Sequence, residues 1–173
     1  MEQLLTFTEK GIHCPRAGVY LDPWKPVDKA IISHGHSDHA YAGHHKYLCT
    51  VQAMPVIKHR LYLRDEDIQT LNYGESVTIN GVNFSFHPAG HIAGSAQIRV
   101  ESGGEVWVFS GDYKLQNDGI SVPFAPVKCH AFITESTFGL PVYKWKSQRD
   151  VFNDINEWWT KNRDEGKSSV ITG

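Results

Sequence analysis

The sequence predicts an α+β fold, a layered sandwich in which sheets carry most of the chain and a few helices cover them. Three features point there: two hairpin patterns, a buried-strand run that gives out into a histidine cluster, and an amphipathic helix near the end.

Leu4–Thr8 and Gly18–Leu21 are short strand-like runs set apart by Gly11, Pro15 and Gly18, and Asp22-Pro23-Trp24-Lys25-Pro26 closes the second as a turn. Lys29-Ala30-Ile31-Ile32-Ser33 reads as a buried strand. Ala40–Lys46 is expected to form a helical turn and Tyr47–Val51 a strand. In Met54–Arg64, Val56, Ile57, Leu61 and Leu63 recur near helical spacing, which predicts a helix. From Ser76 the period falls to two. Val77–Ile79 and Val82–Phe86 flank Asn80-Gly81, a pair suited to a primed hairpin turn. Gln97–Glu101 and Glu105–Ser110 make a second hairpin across Ser102-Gly103-Gly104, and Ala131–Thr134 is a further strand. Val151–Asn162 carries Val151, Phe152, Ile155, Trp158 and Trp159 on one stripe, a helix whose tryptophans are expected in a core. Ser169–Thr172 reads as a last strand.

With 173 residues the chain is one domain's worth, 1–173, without repeats or an evident linker. A net charge of −2 excludes a global basic surface, so any grip on a polyanion must be local or come from bound cations. Cys14, Cys49 and Cys129 are odd in number and lack a Cys-x-x-Cys pair, which fits reduced thiols in a cytoplasmic protein. The opening residues do not read as a signal peptide, and no run is long enough to imply a membrane partner.

His34-Gly35-His36-Ser37-Asp38-His39 sets four potential metal ligands in six positions. His34 and His36 point the same way in an extended chain and can share one ion. Asp38 and His39 diverge unless the backbone turns, which Gly35 and Ser37 permit, and two ligands per ion is less strained than four on one. Imidazole with carboxylate suits zinc, and also manganese or iron. The bland alternative is a chance His-rich loop. Asp22 stays open between ordinary turn chemistry and a carboxylate that fixes the tautomer of a ligand histidine. His44, His45 and His59 read as solvated residues; with Lys46 and Arg60 they offer at most a phosphate-facing rim.

Two later loops repeat the theme. His91 lies in His87-Pro88-Ala89-Gly90-His91-Ile92-Ala93-Gly94-Ser95, and Asp112 in Ser110-Gly111-Asp112-Tyr113, each after a strand. Together they supply what a two-ion site lacks, a third histidine for one ion and a carboxylate to bridge both.

In this order His-x-His-x-Asp-His, Ala-Gly-His-x-x-Gly-Ser and Ser-Gly-Asp resemble the metallo-β-lactamase superfamily. Thr134-Glu135-Ser136-Thr137-Phe138-Gly139 resembles the segment leading into the cap of its nucleic-acid-processing branch, the β-CASP nucleases. Gly11-Ile12-His13-Cys14-Pro15 through Tyr20-Leu21-Asp22-Pro23-Trp24 is similar to the bacterial DNA-ligase-associated exonucleases of that branch. The resemblance covers nearly the whole chain and implies the αββα sandwich of that superfamily. It implies His34, His36 and His91 on one ion, Asp38 and His39 on the other, and Asp112 bridging. Asp22 would be the supporting carboxylate, and Glu135 would help to orient a catalytic histidine from later in the chain. Two divalent cations are implied, zinc before manganese. Members of the branch are roughly twice as long, with a cap and a return strand set that brings the last ligand. The chain is therefore expected to be an amino-terminal part of the sandwich, with the cap and return missing, His130 structural, and a missing half or oligomeric partner needed.

The implied activity is phosphodiester hydrolysis by a hydroxide between two ions, with Asp38 orienting it. The expected substrate is DNA, at ends or as single strands during repair, in association with DNA ligase or helicase machinery. An RNA-processing β-CASP nuclease is the alternative. A thioester, lactone or β-lactam hydrolase shares the metal motif but not the Thr-Glu-Ser-Thr segment. A catalytically incomplete chain holding one ion is the fourth possibility. Lys114, Lys144, Lys146 and Arg149 are candidates for phosphate contacts, although a solvated face is their ordinary role.

Overall fold

The computed structural model describes residues 3–172. Its contacts divide the chain into two units, Met1–Glu135 and Ser136–Gly173. In the first, β1 (Thr6–Thr8), β2 (Gly11–Cys14), β3 (Val19–Leu21), β4 (Lys29–Ile31), β5 (Lys46–Thr50) and β6 (Ile68–Leu71) form one sheet in that order. Strands β1 to β3 are antiparallel and β3 to β6 parallel, with α1 (Met54–Leu61) in the crossover from β5 to β6. A second sheet holds β7 (Ser76–Ile79), β8 (Val82–Pro88), β9 (Ala96–Ser102), β10 (Glu105–Phe109) and β11 (Ala131–Ile133), antiparallel except for the closing β10–β11 pair.

Local chemistry sets the two hairpins. Asn80 (φ 49°) and Gly81 (φ 78°) join the paired residues Ile79 and Val82, and Gly103 (φ 61°) and Gly104 (φ 82°) join Ser102 and Glu105. Positive φ at both central residues gives the turn whose twist matches the flanking strands. Alternation then builds two cores. Ile31 and Leu48 point between the sheets, where they meet Val82, Phe84, Phe86, Ile98 and Val100. Ala30, Ile32, Tyr47 and Cys49 point the other way, onto fully buried Ile57 of α1. Burying each large apolar side chain here contributes about 1.5–3 kcal/mol. The parallel strands are thus covered on both faces, which explains their unbroken apolar runs.

The α+β sandwich agrees with expectation, and several local features differ. Residues 40–46 form no helix. Tyr47 Oη accepts from the His44 N–H and donates to the Tyr41 carbonyl, which fixes this stretch as a loop. His44 is buried, not solvated, and its Nδ1 accepts from the Val27 N–H at 3.3 Å. The basic rim also dissolves: Lys46 pairs with Asp67, and Arg60 turns inward to the Gly35 carbonyl. α1 stops at Leu61 because Tyr62 takes a left-handed φ of 54° and returns its N–H to Lys58. Strands β2 and β6 add to the expected set.

In the second unit α2 (Gln148–Asp164) is capped by Ser147, whose hydroxyl accepts from the Asp150 N–H. None of its residues is buried, so Trp158 and Trp159 are exposed and not core. The helical period predicted the helix, but burial needs an opposing surface that this unit alone does not supply. Residues 169–172 form no strand. All three cysteines are free, and no helix among the described residues is long and apolar enough to cross a membrane.

Candidate metal centre

The histidine cluster follows β4, where the parallel strand runs out. Its backbone turns so that the His36 carbonyl accepts from the N–H groups of His39 (3.3 Å) and Ala40 (2.9 Å). α1 braces the turn: Arg60 donates to the Gly35 carbonyl at 2.5 Å, and a Cβ on Gly35 would lie 3.0 Å from Val56 Cγ1.

The His91 loop joins β8 to β9. Ser95 Oγ accepts from the N–H groups of His91 (3.0 Å) and Ile92 (3.2 Å), and Thr50 Oγ1 donates to the Gly94 carbonyl at 2.7 Å. Gly94 has φ 81°, and a Cβ there would sit 2.3 Å from the Ala53 nitrogen, so only glycine fits. Asp112 follows β10 past Gly111, where a Cβ would come within 2.7 Å of the Ser33 side chain. The Ala96 N–H donates to the Ser33 carbonyl at 2.9 Å and ties the two sheets together at this point.

Four donor groups from these three loops converge. His36 Nδ1 lies 3.0 Å from His34 Nε2 and 3.1 Å from His91 Nε2. Asp112 Oδ2 stands 3.8 Å from His34 Nε2 and 3.7 Å from His91 Nε2, while its Oδ1 faces His39 Nε2 at 3.2 Å. One carboxylate thus presents an oxygen to each histidine set.

Behind them runs a hydrogen-bond relay. Asp22, buried and held at φ 40°, accepts from the Ser33 N–H (2.7 Å), the Ser33 hydroxyl (2.5 Å) and His39 Nδ1–H (2.7 Å). The Ser33 oxygen in turn accepts from His34 Nδ1–H at 3.0 Å. His34 is left with its Nε2 lone pair aimed at the centre, while His39 turns its Nε2 toward Asp112 Oδ1. Burial would lower the His39 imidazole, but its hydrogen bonds to Asp112 and Asp22, with their negative charge, raise it to about 10. Burial, reinforced by the charge of His39, lowers His34, with Asp112 pulling the other way. The hydrogen bond from His39, working against burial, lowers Asp112.

His34, His36, His39, His91, Asp112 and Asp22 therefore come together. Asp38 stands at the rim beside them: its side chain is 73 % exposed, with Oδ2 3.8 Å from His39 Nε2. Glu135 lies alongside; its Oε1 accepts from the Tyr113 N–H at 3.5 Å, and its charge acts on His91. His130 is a structural residue that accepts from the Val106 N–H at 3.0 Å. Sequence reasoning missed Ser33, Thr50 and Arg60, which position ligand candidates. A small hydroxyl directly ahead of the cluster was the one signal available for Ser33.

The donor set fits a divalent cation. Ligands about 2.0–2.1 Å from a tetrahedral zinc stand roughly 3.3 Å apart, close to these separations. Without a cation, His36 Nδ1 faces two ring nitrogens, and one proton can serve only one of the gaps. Two groups of residues are placed to hold an ion: His34, His36, His91 and Asp112, and Asp22, His34 and His39.

The model of the metallo-beta-lactamase superfamily matches residues 11–165. The chain belongs to this superfamily. It is 35 % identical over 148 residues to a probable DNA ligase of Opitutus terrae, covering 84 % of this chain and 14 % of that protein. It is 34 % identical over 172 residues to an RNase J-like protein of Methanocaldococcus jannaschii, covering 85 % of this chain and 40 % of the relative. Cleavage and polyadenylation specificity factor 73 of Drosophila melanogaster is 32 % identical over 87 residues, 49 % of this chain and 13 % of that one. The chain thus spans less than half the length of each of these relatives, one of which carries an RNase name.

Proposed function

We propose that the convergent donors form a two-ion phosphodiesterase site and that the substrate is DNA, degraded from ends or as single strands. The observation that carries this is the meeting, within 4.8 Å, of donor atoms from His34, His36, His91 and Asp112 on three separate loops. In this proposal His34 Nε2, His36 Nδ1 and His91 Nε2 would hold one zinc ion, His39 Nε2 and Asp38 the second, and Asp112 would serve both. Divalent cations held there would supply an activated water at neutral pH and offset charge on the phosphoryl oxygens. Asp22 and Ser33 keep protons on the Nδ1 atoms of His39 and His34, so both rings face the centre as acceptors. Asp38, on the solvent side, orients the nucleophile and passes its proton outward. Glu135 steadies the backbone after Asp112 at Tyr113 and orients a histidine supplied from elsewhere.

Similarity to the ligase-named relative over most of the chain supports DNA and a place beside a DNA ligase. The RNase J-like relative, matched over an equal share, favours RNA as the second reading. End-labelled single-stranded DNA and RNA of one sequence, incubated with zinc or manganese, separate the two. DNA shortening that disappears in His36→Ala and Asp38→Ala supports the proposal; cleavage unchanged by both substitutions ends it.

A further inference from the structure

The second unit begins, ahead of α2, with aromatic rings that are exposed yet mutually ordered. Phe138, Tyr143 and Trp145 are 55, 45 and 69 % exposed, where rings of this size ordinarily bury. Tyr143 and Trp145 lie parallel to within 9° with centroids 6.5 Å apart. Phe138 stands edge-on to both, 5.1 Å from Tyr143 at 81° and 5.0 Å from Trp145 at 88°. The arrangement is two walls and a floor. Turn hydrogen bonds from the Gly139 N–H to the Ser136 carbonyl (3.0 Å) and from the Tyr143 N–H to the Leu140 carbonyl (3.2 Å) shape the segment.

Bases in a strand repeat at about 3.4 Å, so one base between two rings sets their centres roughly 6.8 Å apart, close to the 6.5 Å between the Tyr143 and Trp145 centroids. The charges around the rings suit the rest of a nucleotide. Lys146 is engaged by Asp154, but among the described residues no ion pair engages Lys144, between the two walls in sequence, or Arg149. Two free cations repel a cationic guest and attract a phosphate backbone. Stacking on aromatic faces beside a basic track is the chemistry by which single strands are held without regard to sequence.

We propose that Phe138, Tyr143 and Trp145 form a slot for one nucleobase of a single-stranded nucleic acid, with Lys144 and Arg149 facing its phosphates. The slot gives the substrate strand a second point of attachment, and for that role it rests on the nuclease proposal above. The test is binding of a fluorescent oligothymidylate to the intact chain in EDTA, read by anisotropy, so that metal chemistry plays no part. Trp145→Ala and Tyr143→Ala are each expected to weaken binding about 5- to 150-fold. Trp145→Phe should stay within a few fold of the parent. Lys144→Ala should reduce the slope of log affinity against log salt by about 0.7. Trp159→Ala, an exposed ring on α2, should leave affinity unchanged. Unchanged binding by Trp145→Ala, or an equal loss in Trp159→Ala, overturns the slot. Slot-dependent binding in a chain that never cleaves with metal keeps the slot and removes the nuclease proposal. Metal-dependent cleavage with Trp145→Ala affinity intact does the reverse.

Discussion

Replacing Asp22 with asparagine changes one oxygen and one charge and almost no volume, so it isolates what the carboxylate does. Its Oδ1 accepts from the Ser33 N–H, and its Oδ2 serves both the Ser33 hydroxyl and His39 Nδ1–H. An amide oxygen can take over one position, but in either orientation the NH₂ group confronts a donor. Where NH₂ replaces Oδ2, His39 can escape only by giving up its Nδ1 proton and keeping one on Nε2, the atom that would face a cation. Ser33 can escape only by reversing its hydroxyl toward His34, which turns that ring's tautomer as well. Hydrogen bonds to a charged group contribute about 1.5–3 kcal/mol, and little solvent screening applies because Asp22 is 6 % exposed. Losing the outer partner of a ligand histidine costs about 10- to 100-fold in metal affinity. The expected outcome for Asp22→Asn is therefore a loss of about 2–3 kcal/mol in urea unfolding with chelator present. Competitive titration with a chromophoric chelator should show zinc binding weakened about 10- to 100-fold. Asp22→Ala should unfold more easily still, because the buried Ser33 N–H loses its acceptor as well. Zinc affinity of Asp22→Asn within twofold of the parent would refute the relay.

Gly94→Ala sets a side chain against Ala53 at φ 81° and should cost about 3 kcal/mol or more while displacing His91. Gly103→Ala, with open space around it, should cost only about 1 kcal/mol; equal costs in denaturant melts would contradict the packing at Gly94. Metal analysis after dialysis should find one tightly held ion per chain and a second that is weak or absent, and His91→Ala should lose the tight one. An ion at a hundred times its dissociation constant adds about 2.7 kcal/mol. That raises Tm by roughly 5–10 °C, and EDTA reverses the rise; a Tm indifferent to EDTA argues against the centre. Burial raises the Cys14 thiol and pushes Cys49 up to about 12, whereas Cys129 is half-buried. A thiol reagent at pH 8 should titrate one cysteine in the native chain and the remaining two only after unfolding.

The parts legible in the sequence were those written locally. Asn80-Gly81 and Gly103-Gly104 demand their turns whatever surrounds them, and the ligand candidates crowd into short loops behind apolar strands. What escaped depends on partners far along the chain. His44 resembles any loop histidine until the Val27 N–H, 17 residues away, is seen against its ring. Strand β6 is short and follows three acidic residues, and it exists because β5 offers a parallel edge. Thr50 and Arg60 act on the site through Gly94 and Gly35, contacts no spacing rule announces. In α2 the error ran the other way, since periodicity identifies a stripe without identifying what covers it.

The bond from Ala96 to the Ser33 carbonyl joins the sheets where the donors meet, and this has a consequence for biosynthesis. His36 and His91 are 55 positions apart. A ribosome releasing the chain exposes the first histidines well before the later ones, when each cluster alone can offer a cation only a loose and exchangeable hold. Firm capture has to wait until the hairpin carrying His91 has docked, so cation uptake marks the completion of folding and is not what starts it.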